Sequence, residues 1–158
     1  MSKSLKRVIR ALEDAGIASE PVEIGQATTA QMAAGLVGCT VDQIAKSIIF
    51  RGETSNEAVL FITAGGNQVD ADCASALAGE ELGKADAALI RAQTGFAIGG
   101  VSPLGHLTAP RAYFDPRLLE FDEVWAAAGT PRHVFAAAPK ALQQASGADL
   151  AEFTTNVG

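Results

Sequence analysis

The sequence is poor in the residues that build disulfide scaffolds and metal centres. Its 158 residues include only two cysteines, Cys39 and Cys73, and two histidines. The cysteines form no C-x-x-C pair, and no group of Cys and His residues has the spacing of zinc ligands. We therefore expect two buried thiols in a reducing compartment, and neither a metal nor any other cofactor.

Long apolar runs are lacking as well. Runs such as residues 58–62 are far shorter than the roughly 18 residues that a membrane helix needs. The first residues carry positive charge, but an amphipathic segment with Glu13 and Asp14 follows them in place of an apolar signal core. These features predict a cytoplasmic protein with no membrane partner.

Basic residues are outnumbered by acidic ones. Twelve Lys and Arg against 18 Asp and Glu give a formal net charge of -6, which disfavours tight, non-specific binding to long nucleic acids through counterion release. DNA is therefore not an expected partner, and any contact with nucleic acid should be local. With 48% hydrophobic and 19% charged residues, the chain can bury a core, and we assign residues 1–158 to a single domain.

Periodicity and capping residues predict alternating helices and strands. The predicted helices cover residues 5–16, 28–38, 40–46, 70–77, 85–94, 116–125 and 139–146. The predicted strands cover residues 20–24, 47–50, 58–63, 112–114 and 133–136. Hairpins and uneven spacing disfavour a doubly wound parallel sheet. We expect an α+β (mixed α/β) domain with one mixed, largely antiparallel sheet flanked by helices.

Residues 96–107 have neither helical nor strand periodicity. The residues that interrupt the pattern are Gly99, Gly100, Pro103 and Gly105. Glycines let the main chain approach a ligand closely, proline fixes one dihedral angle, and Ser102 and His106 add hydrogen-bonding side chains. The stretch fits a binding loop for an anion or carbonyl group and, equally, a corner that only turns the chain. It is not a P-loop, because His106 stands where that motif has lysine.

Lys46 stands between apolar residues at a predicted helix-to-strand junction. A cation in that setting must extend to solvent or meet an anion such as a phosphate, and both interpretations stay open. His106 alone is more often a hydrogen-bonded loop residue than a catalyst, and His133 is interpreted as structural. No nucleophile elbow is present, and neither cysteine has a recognisable histidine partner. The chemical inventory is therefore one cation and one glycine-rich loop.

The residues around these two features resemble the YbaK/ProX family of aminoacyl-tRNA deacylases. The likeness rests on residues 45–50 (Ala-Lys-Ser-Ile-Ile-Phe), on residues 59–70, and on residues 95–106 (Gly-Phe-Ala-Ile-Gly-Gly-Val-Ser-Pro-Leu-Gly-His). Family members are free-standing relatives of the editing domain in bacterial prolyl-tRNA synthetase and remove mischarged amino acids from tRNA in trans. The resemblance covers nearly the whole chain and implies a YbaK/ProX-like fold and hydrolysis of an ester.

The resemblance also assigns roles to residues. Lys46 matches the lysine that holds the acceptor-end phosphate, and Gly99 begins the G-x-x-x-P motif whose backbone faces the aminoacyl carbonyl and the terminal ribose. These are the two predicted catalytic residues. In the family the 2'-hydroxyl of the terminal adenosine helps to activate the attacking water, so catalysis is substrate-assisted. The predicted substrate-binding residues are Thr29, Met32, Ser47, Phe96, Gly100, Val101, Ser102, Pro103, Gly105 and His106.

The implied substrate is tRNAPro carrying a small amino acid, with alanine or 2-aminobutyrate ahead of cysteine, serine or threonine. The acceptor end of aminoacyl-tRNA is the expected partner, and the acidic net charge is compatible with handover by prolyl-tRNA synthetase or an elongation factor. Two alternatives stay open: a non-catalytic module that binds an aminoacyl group or a nucleotide, and a synthetase-associated adaptor. The presence of both Lys46 and the 99–103 motif favours the enzyme.

Overall fold

A computed structural model describes residues 2–155 and places two β-sheets among five α-helices in that range. The helices are α1 (Lys3–Asp14), α2 (Ala30–Val37), α3 (Ala71–Ala78), α4 (Ala87–Thr94) and α5 (Pro139–Ser146). The strands are β1 (Val22–Glu23), β2 (Ala45–Gly52), β3 (Ala58–Ala64), β4 (Leu82–Lys84), β5 (Arg111–Phe114), β6 (Val124–Ala127), β7 (His133–Ala137) and β8 (Asp149–Leu150). Met1 and residues 156–158 of the predicted 1–158 domain lie outside the described residues.

The larger sheet has the strand order β4-β2-β3-β5-β8, and the smaller one has the order β1-β7-β6. β5 runs parallel to β3, and β8 runs parallel to β5, while every other pair is antiparallel. The predicted α+β class with largely antiparallel pairing is confirmed. The expectation of one sheet is wrong, because the strands divide between two. The short strands β4 and β8 were not predicted.

Local capping explains where most helices begin. The Ser2 hydroxyl accepts a hydrogen bond from the N–H of Leu5 at 3.1 Å, and Asp70 caps α3 in the predicted way. α2 begins one residue later than predicted. Its cap is Thr29, whose hydroxyl accepts from the N–H of Met32 at 3.1 Å, and not Thr28.

The predicted helix over residues 116–125 is wrong. A 3-10 helix covers Pro116–Glu120 and is followed by β6. Asp115 and the proline after it do start a helical turn, since the carboxylate accepts from the N–H of Arg117 at 3.0 Å. From Val124 onward, however, buried and half-buried residues alternate, which is the period of a strand, and β7 supplies the pairing.

The main core joins α1 to both sheets. Its fully buried members include Val8, Leu60, Phe114 and Phe135. A second cluster covers the other face of the larger sheet around Phe61. All of β3 is buried, so packing on both faces of the β2–β3 hairpin holds in place the residues at its open end, where β2 begins and β3 ends.

The expectation of two buried thiols is wrong. Cys39 is half-buried and Cys73 is exposed on α3. Among residues 2–155, no helix combines the length and apolar character needed to cross a membrane.

The carboxylate of Glu80 links the loop between β2 and β3 to the start of β5 in the larger sheet. It accepts hydrogen bonds from the N–H groups of Thr54 and Ser55 at 3.0 and 2.9 Å and pairs with the Arg111 guanidinium at 2.6 Å. The backbone hydrogen bond from Ser55, followed by the bond from Arg111, lowers the pKa of Glu80 from 4.5 to about 2. Protonation of this group therefore opposes folding.

We expect Glu80→Gln to lower the melting temperature by a few degrees at pH 7 and by less in acid. Because the folded-state pKa of Glu80 is depressed, its contribution is complete above pH 4.5 and is lost as the pH falls towards about 2. Circular dichroism melts at pH 7, 5, 4 and 3 measure the difference from wild type, with the exposed neighbour Glu81→Gln as the control. A difference as large at pH 3 as at pH 7 would contradict this assignment.

Candidate functional site

A cleft of about 620 Å³ opens between the end of the β2–β3 hairpin, the start of α2, the smaller sheet and residues 96–107, the glycine-rich loop. Its volume lies within the roughly 300–1,000 Å³ typical of small-ligand sites. Its polar side chains are those of Thr28, Thr29, Gln31, Lys46, Ser47, Asn67, Gln68, Thr130 and His133. Of the residues that the structure describes, none with a carboxylate or thiol lines this cleft, and no group of at least three His, Cys, Asp or Glu side chains could hold a metal ion.

Lys46 supplies the cleft with a cation. It lies within β2 and not at the predicted helix-to-strand junction, because the 3-10 helix before it covers only Val41–Gln43. Its Nζ donates to the carbonyl oxygen of Gly65 at 3.2 Å. Burial lowers the pKa of Lys46, while the carboxylates of Asp42 and Asp115 act in the opposite direction. The ammonium is thus partly desolvated, which strengthens its attraction for an anion.

The turn after β3 fixes the carbonyl that Lys46 contacts. The N–H of Gly66 donates to Asp42 Oδ1 at 2.9 Å, and Asp42 Oδ2 accepts from Arg117 Nε at 3.1 Å. A Cβ on Gly65 would overlap the carbonyl oxygen of Val41. Only glycine fits at this position without a shift of the backbone.

Asp115 lies behind the same turn and is 3% exposed. Its Oδ2 accepts from the N–H of Ala64 at 3.1 Å and from Asn67 Nδ2 at 3.0 Å. Because Asn67 lines the cleft, Asp115 orients one of the cleft's polar side chains without lining the cleft itself.

Ser47 lines the cleft next to Lys46, and its buried hydroxyl has no hydrogen-bond partner among the described residues. Buried hydroxyls are normally paired, so an orphan at a cleft marks a position where a ligand could bond. β4 pairs with β2 only from Phe50 to Gly52. Beside the start of β2, Ile44 forms an isolated parallel bridge with Trp125 of β6.

The front of the glycine-rich loop forms the facing wall. Ile98, Gly99 and Val101 line the cleft, and Gly99 adopts a φ of 92°, which favours glycine. Gly100 lies behind them, packed so tightly that a Cβ would approach the backbone of Thr130 to 2.9 Å. The loop is thereby seated against the segment that leads into β7.

The back of the loop does not line the cleft. Ser102 Oγ accepts from the N–H of Leu104 at 3.1 Å, and His106 Nε2 bonds the carbonyl oxygen of Ser102. Burial is the main cause that lowers the pKa of His106, so the neutral ring is favoured. Phe96 and Pro103 are buried. These four side chains shape the loop from within.

Arg7 of α1 fastens the loop at both ends. Its Nε donates to the carbonyl oxygen of Gly105 at 3.0 Å, and its guanidinium donates to that of Gly95 at 2.9 Å. The same guanidinium lies 4.8 Å from the centroid of the Phe96 ring. Gly105 is therefore an attachment point of the loop and not a lining residue.

At the start of α2, Thr29 lines the cleft, whereas Met32 does not and is 46% exposed. The lining residues that sequence reasoning missed include Asn67, Gln68, Trp125, Thr130 and His133. His133, interpreted as structural, does bond Thr130 through Nδ1 at 2.7 Å, but it also faces the cleft. The Gly-Thr-Pro turn before β7 was the available signal for this part of the wall.

Comparison with known proteins places these features in a family. Residues 25–145 match the family model described as an aminoacyl-tRNA editing domain. A solved structure described as a candidate trans-editing enzyme for prolyl tRNA synthetase is 45% identical, has a TM-score of 0.90 and is matched over 99% of each chain. The uncharacterized protein YwhH of Bacillus subtilis is 32% identical over 118 residues, 75% of this chain and 74% of YwhH. The structure of hypothetical protein APE2540, at 22% identity and a TM-score of 0.86 over 94% of this chain and 99% of that one, shares the fold.

Proposed function

Because the chain belongs to the aminoacyl-tRNA editing domain family, the family that its resemblance to YbaK/ProX proteins predicted, we propose that it is a trans-editing deacylase acting on mischarged tRNAPro. The observation that carries this proposal is that a half-buried cation, Lys46, and the glycine of the G-x-x-x-P motif, Gly99, line one cleft. Family membership identifies the chain as an aminoacyl-tRNA editing domain. The ester that is hydrolysed, the identity of the tRNA and the mechanism are proposed here.

Lys46 is proposed to hold a phosphate of the acceptor end. An ammonium has three donors, and the bond to Gly65 uses one of them. The other two can reach a phosphate oxygen. The carboxylates of Asp42 and Asp115 favour the charged form of Lys46. They accept hydrogen bonds from other groups and not from the Lys46 ammonium, whose remaining donors stay free for a phosphate.

The reaction is proposed to be substrate-assisted, as the resemblance to YbaK/ProX proteins implies. No carboxylate or thiol among the described residues lines the cleft, and His133, which does, is bonded to Thr130. The 2'-hydroxyl of the terminal adenosine helps to activate a water molecule, which attacks the ester carbonyl. The resulting tetrahedral oxyanion collapses and expels the 3'-oxygen of the ribose, which takes up a proton. The protein contributes orientation and backbone dipoles, with Gly99 facing the carbonyl group that becomes the oxyanion.

A small amino acid is proposed because the resemblance to YbaK/ProX proteins implies it. The lining of the cleft includes both small and large side chains, among them Ala45, Ala126 and Trp125. We propose alanine or 2-aminobutyrate as the group removed, ahead of cysteine, serine and threonine. A synthetase pocket distinguishes one methylene by only about 1–3 kcal/mol, so a synthetase built for proline needs such a second sieve.

Delivery of the substrate by prolyl-tRNA synthetase or an elongation factor is part of the proposal. Its support is the net charge of -6, which weakens intrinsic affinity for RNA, and the similarity to a chain described as a trans-editing candidate for that synthetase.

The test is release of amino acid from tRNAPro charged with alanine, 2-aminobutyrate, cysteine, serine, threonine or proline. We expect hydrolysis of the alanyl or 2-aminobutyryl ester at least 100-fold faster than that of the prolyl ester. The comparison of the seryl and 2-aminobutyryl esters is informative, because serine has a hydroxyl where 2-aminobutyrate has a methyl group of similar size. The ratio of their hydrolysis rates measures whether a polar side chain is preferred in a cleft where the Ser47 hydroxyl has no partner among the described residues. Binding without hydrolysis of any ester, with and without the synthetase, would contradict the enzyme and favour a binding module.

A further inference from the structure

Positive charge is concentrated in the first helix. Four of the chain's 12 Lys and Arg lie between residues 3 and 10, and no Asp or Glu occurs before Glu13. The rest of the chain carries eight basic residues against all 18 acidic ones. Such asymmetry in an acidic protein points to a local contact with a polyanion.

The four cations share one face of α1. Lys3, Lys6, Arg7 and Arg10 follow one another at spacings of three, one and three residues, which places them together on a helix. Leu5, Val8 and Leu12 on the opposite face are buried in the core. The apolar side of α1 is thus already occupied, and the helix presents its charged side to a partner. Exposed Glu13 and Asp14 follow Arg10 on that side, at the end of the helix.

Lys3, Lys6 and Arg10 are exposed, and none of the ion pairs among residues 2–155 involves them. Two lysines in or next to the first turn of a helix also oppose the helix dipole, which favours negative charge at that end. Ion pairing therefore accounts for none of the three cations, and helix stability does not account for the two lysines. We call Lys3, Lys6 and Arg10 the basic face of α1.

α1 adjoins one wall of the cleft. Arg7, within the same helix, fastens the glycine-rich loop through Gly95 and Gly105. The carbonyl of Ser4 lies so close to Gly129 that a Cβ there would approach it to 2.7 Å. Gly129 precedes Thr130, which lines the cleft. α1 therefore directly supports both segments of this wall.

We propose that the basic face of α1 binds the sugar-phosphate backbone of the acceptor stem whose aminoacylated end enters the cleft. This inference rests on the proposed function. At 1.5 Å per residue, the seven-residue separation of Lys3 and Arg10 spans about 10 Å, a length along which an RNA strand presents several phosphates. Contacts of this kind orient the nucleic acid and carry no base sequence. The surface would supply affinity and register, and the cleft would supply the choice of amino acid.

The test compares two double variants with the same change of charge. Lys6→Ala/Arg10→Ala removes two cations of the basic face, and Lys84→Ala/Lys140→Ala removes two exposed cations on β4 and α5. Each protein is assayed on alanyl- and 2-aminobutyryl-tRNAPro and on the corresponding esters of adenosine, which lack a stem. Melting temperatures confirm that all proteins are folded.

We expect KM of the basic-face variant for the aminoacyl-tRNA to be about 10- to 50-fold higher than that of wild type at 0.1 M salt. Each contact between a cation and a phosphate contributes about 8-fold to affinity at this salt concentration through counterion release, and the variant loses up to two such contacts. Its kcat and its activity on the adenosine ester should stay within twofold of wild type. The slope of log(kcat/KM) against log salt should fall by about 1–2 in magnitude. The control variant should match wild type in all of these.

Equal losses in both variants would overturn the proposal, since they would reflect net charge alone. An equal loss on the adenosine ester would also overturn it, because the cleft itself would then be disturbed.

If wild type hydrolyses no ester, the proposed function fails, and fluorescence anisotropy with uncharged tRNAPro tests the surface separately. Wild-type binding that the basic-face variant weakens supports the surface, whereas equal binding by both, or none by wild type, overturns it. Binding to phosphatidylserine vesicles that the variant loses, with unchanged tRNA kinetics, would overturn it in favour of a lipid surface.

Discussion

Lys46→Ala should lower kcat/KM for the mischarged tRNAPro by about 10²- to 10³-fold, the usual cost of removing one preorganised electrostatic contact from an active site. The melting temperature should change little, because the only hydrogen bond that the Lys46 side chain makes among the described residues is the one to Gly65. Deacylation kinetics on the ester that the wild type prefers measure the effect. Lys84→Ala, an exposed cation on β4, is the matched control.

Two further measurements separate charge from shape at this position. Lys46→Arg keeps the charge but replaces a compact ammonium by a planar fork, and it should recover only part of the activity. In the wild type, burial lowers the pKa of Lys46 below 10.5. Activity, corrected for spontaneous hydrolysis, should therefore decline at a lower pH than it would for a freely solvated lysine. Full activity of Lys46→Ala would contradict the proposed role.

Gly65→Ala should reduce the free energy of unfolding by about 2–3 kcal/mol, since its Cβ would overlap the Val41 carbonyl oxygen in a tightly packed turn. Activity should fall as well, because the carbonyl of Gly65 accepts the hydrogen bond of Lys46. Urea denaturation with a deacylation assay measures both effects.

Gly35→Ala is the matched control for this substitution. Gly35 lies inside α2, and a Cβ there would meet no atom within 4 Å. Alanine is the better helix former by about 1 kcal/mol, so this variant should be slightly more stable than wild type. Destabilisation of similar size in both variants would show that crowding at Val41 is not the cause.

The parts of the fold that sequence reasoning predicted correctly are those fixed by neighbours along the chain. The apolar period of α1, the Asp70 cap of α3 and the two long strands of the hairpin are of this kind. β6 was missed because its conformation depends on pairing with β7, while Pro116 supplied a helical start just before it. A strand so short is decided by its partner strand, and local propensity cannot reveal it.

The candidate site divides in the same way. Lys46 and Gly99 could be singled out because a cation among apolar residues and a glycine in an aperiodic loop are visible locally. Thr130 and His133 join them only because the smaller sheet packs against the end of the hairpin. Ser102 has the chemistry of a ligand-binding group, but its hydroxyl is used by Leu104 within the loop. Spacing along the chain does not distinguish a hydroxyl turned inward from one that faces a ligand.

The two hydrogen bonds of Arg7 also govern when the site can exist during folding. They join residues that are 88 and 98 positions apart in the chain. Closing loops of that length carries a large entropic cost, which is recovered only after the intervening hairpin and helices have packed. α1 leaves the ribosome before the glycine-rich loop, so it has no loop to hold until residue 105 has followed. The wall of the cleft is therefore among the last parts of the domain to form, and a nascent chain shorter than this has no competent cleft with which to meet the aminoacyl-tRNAs around it.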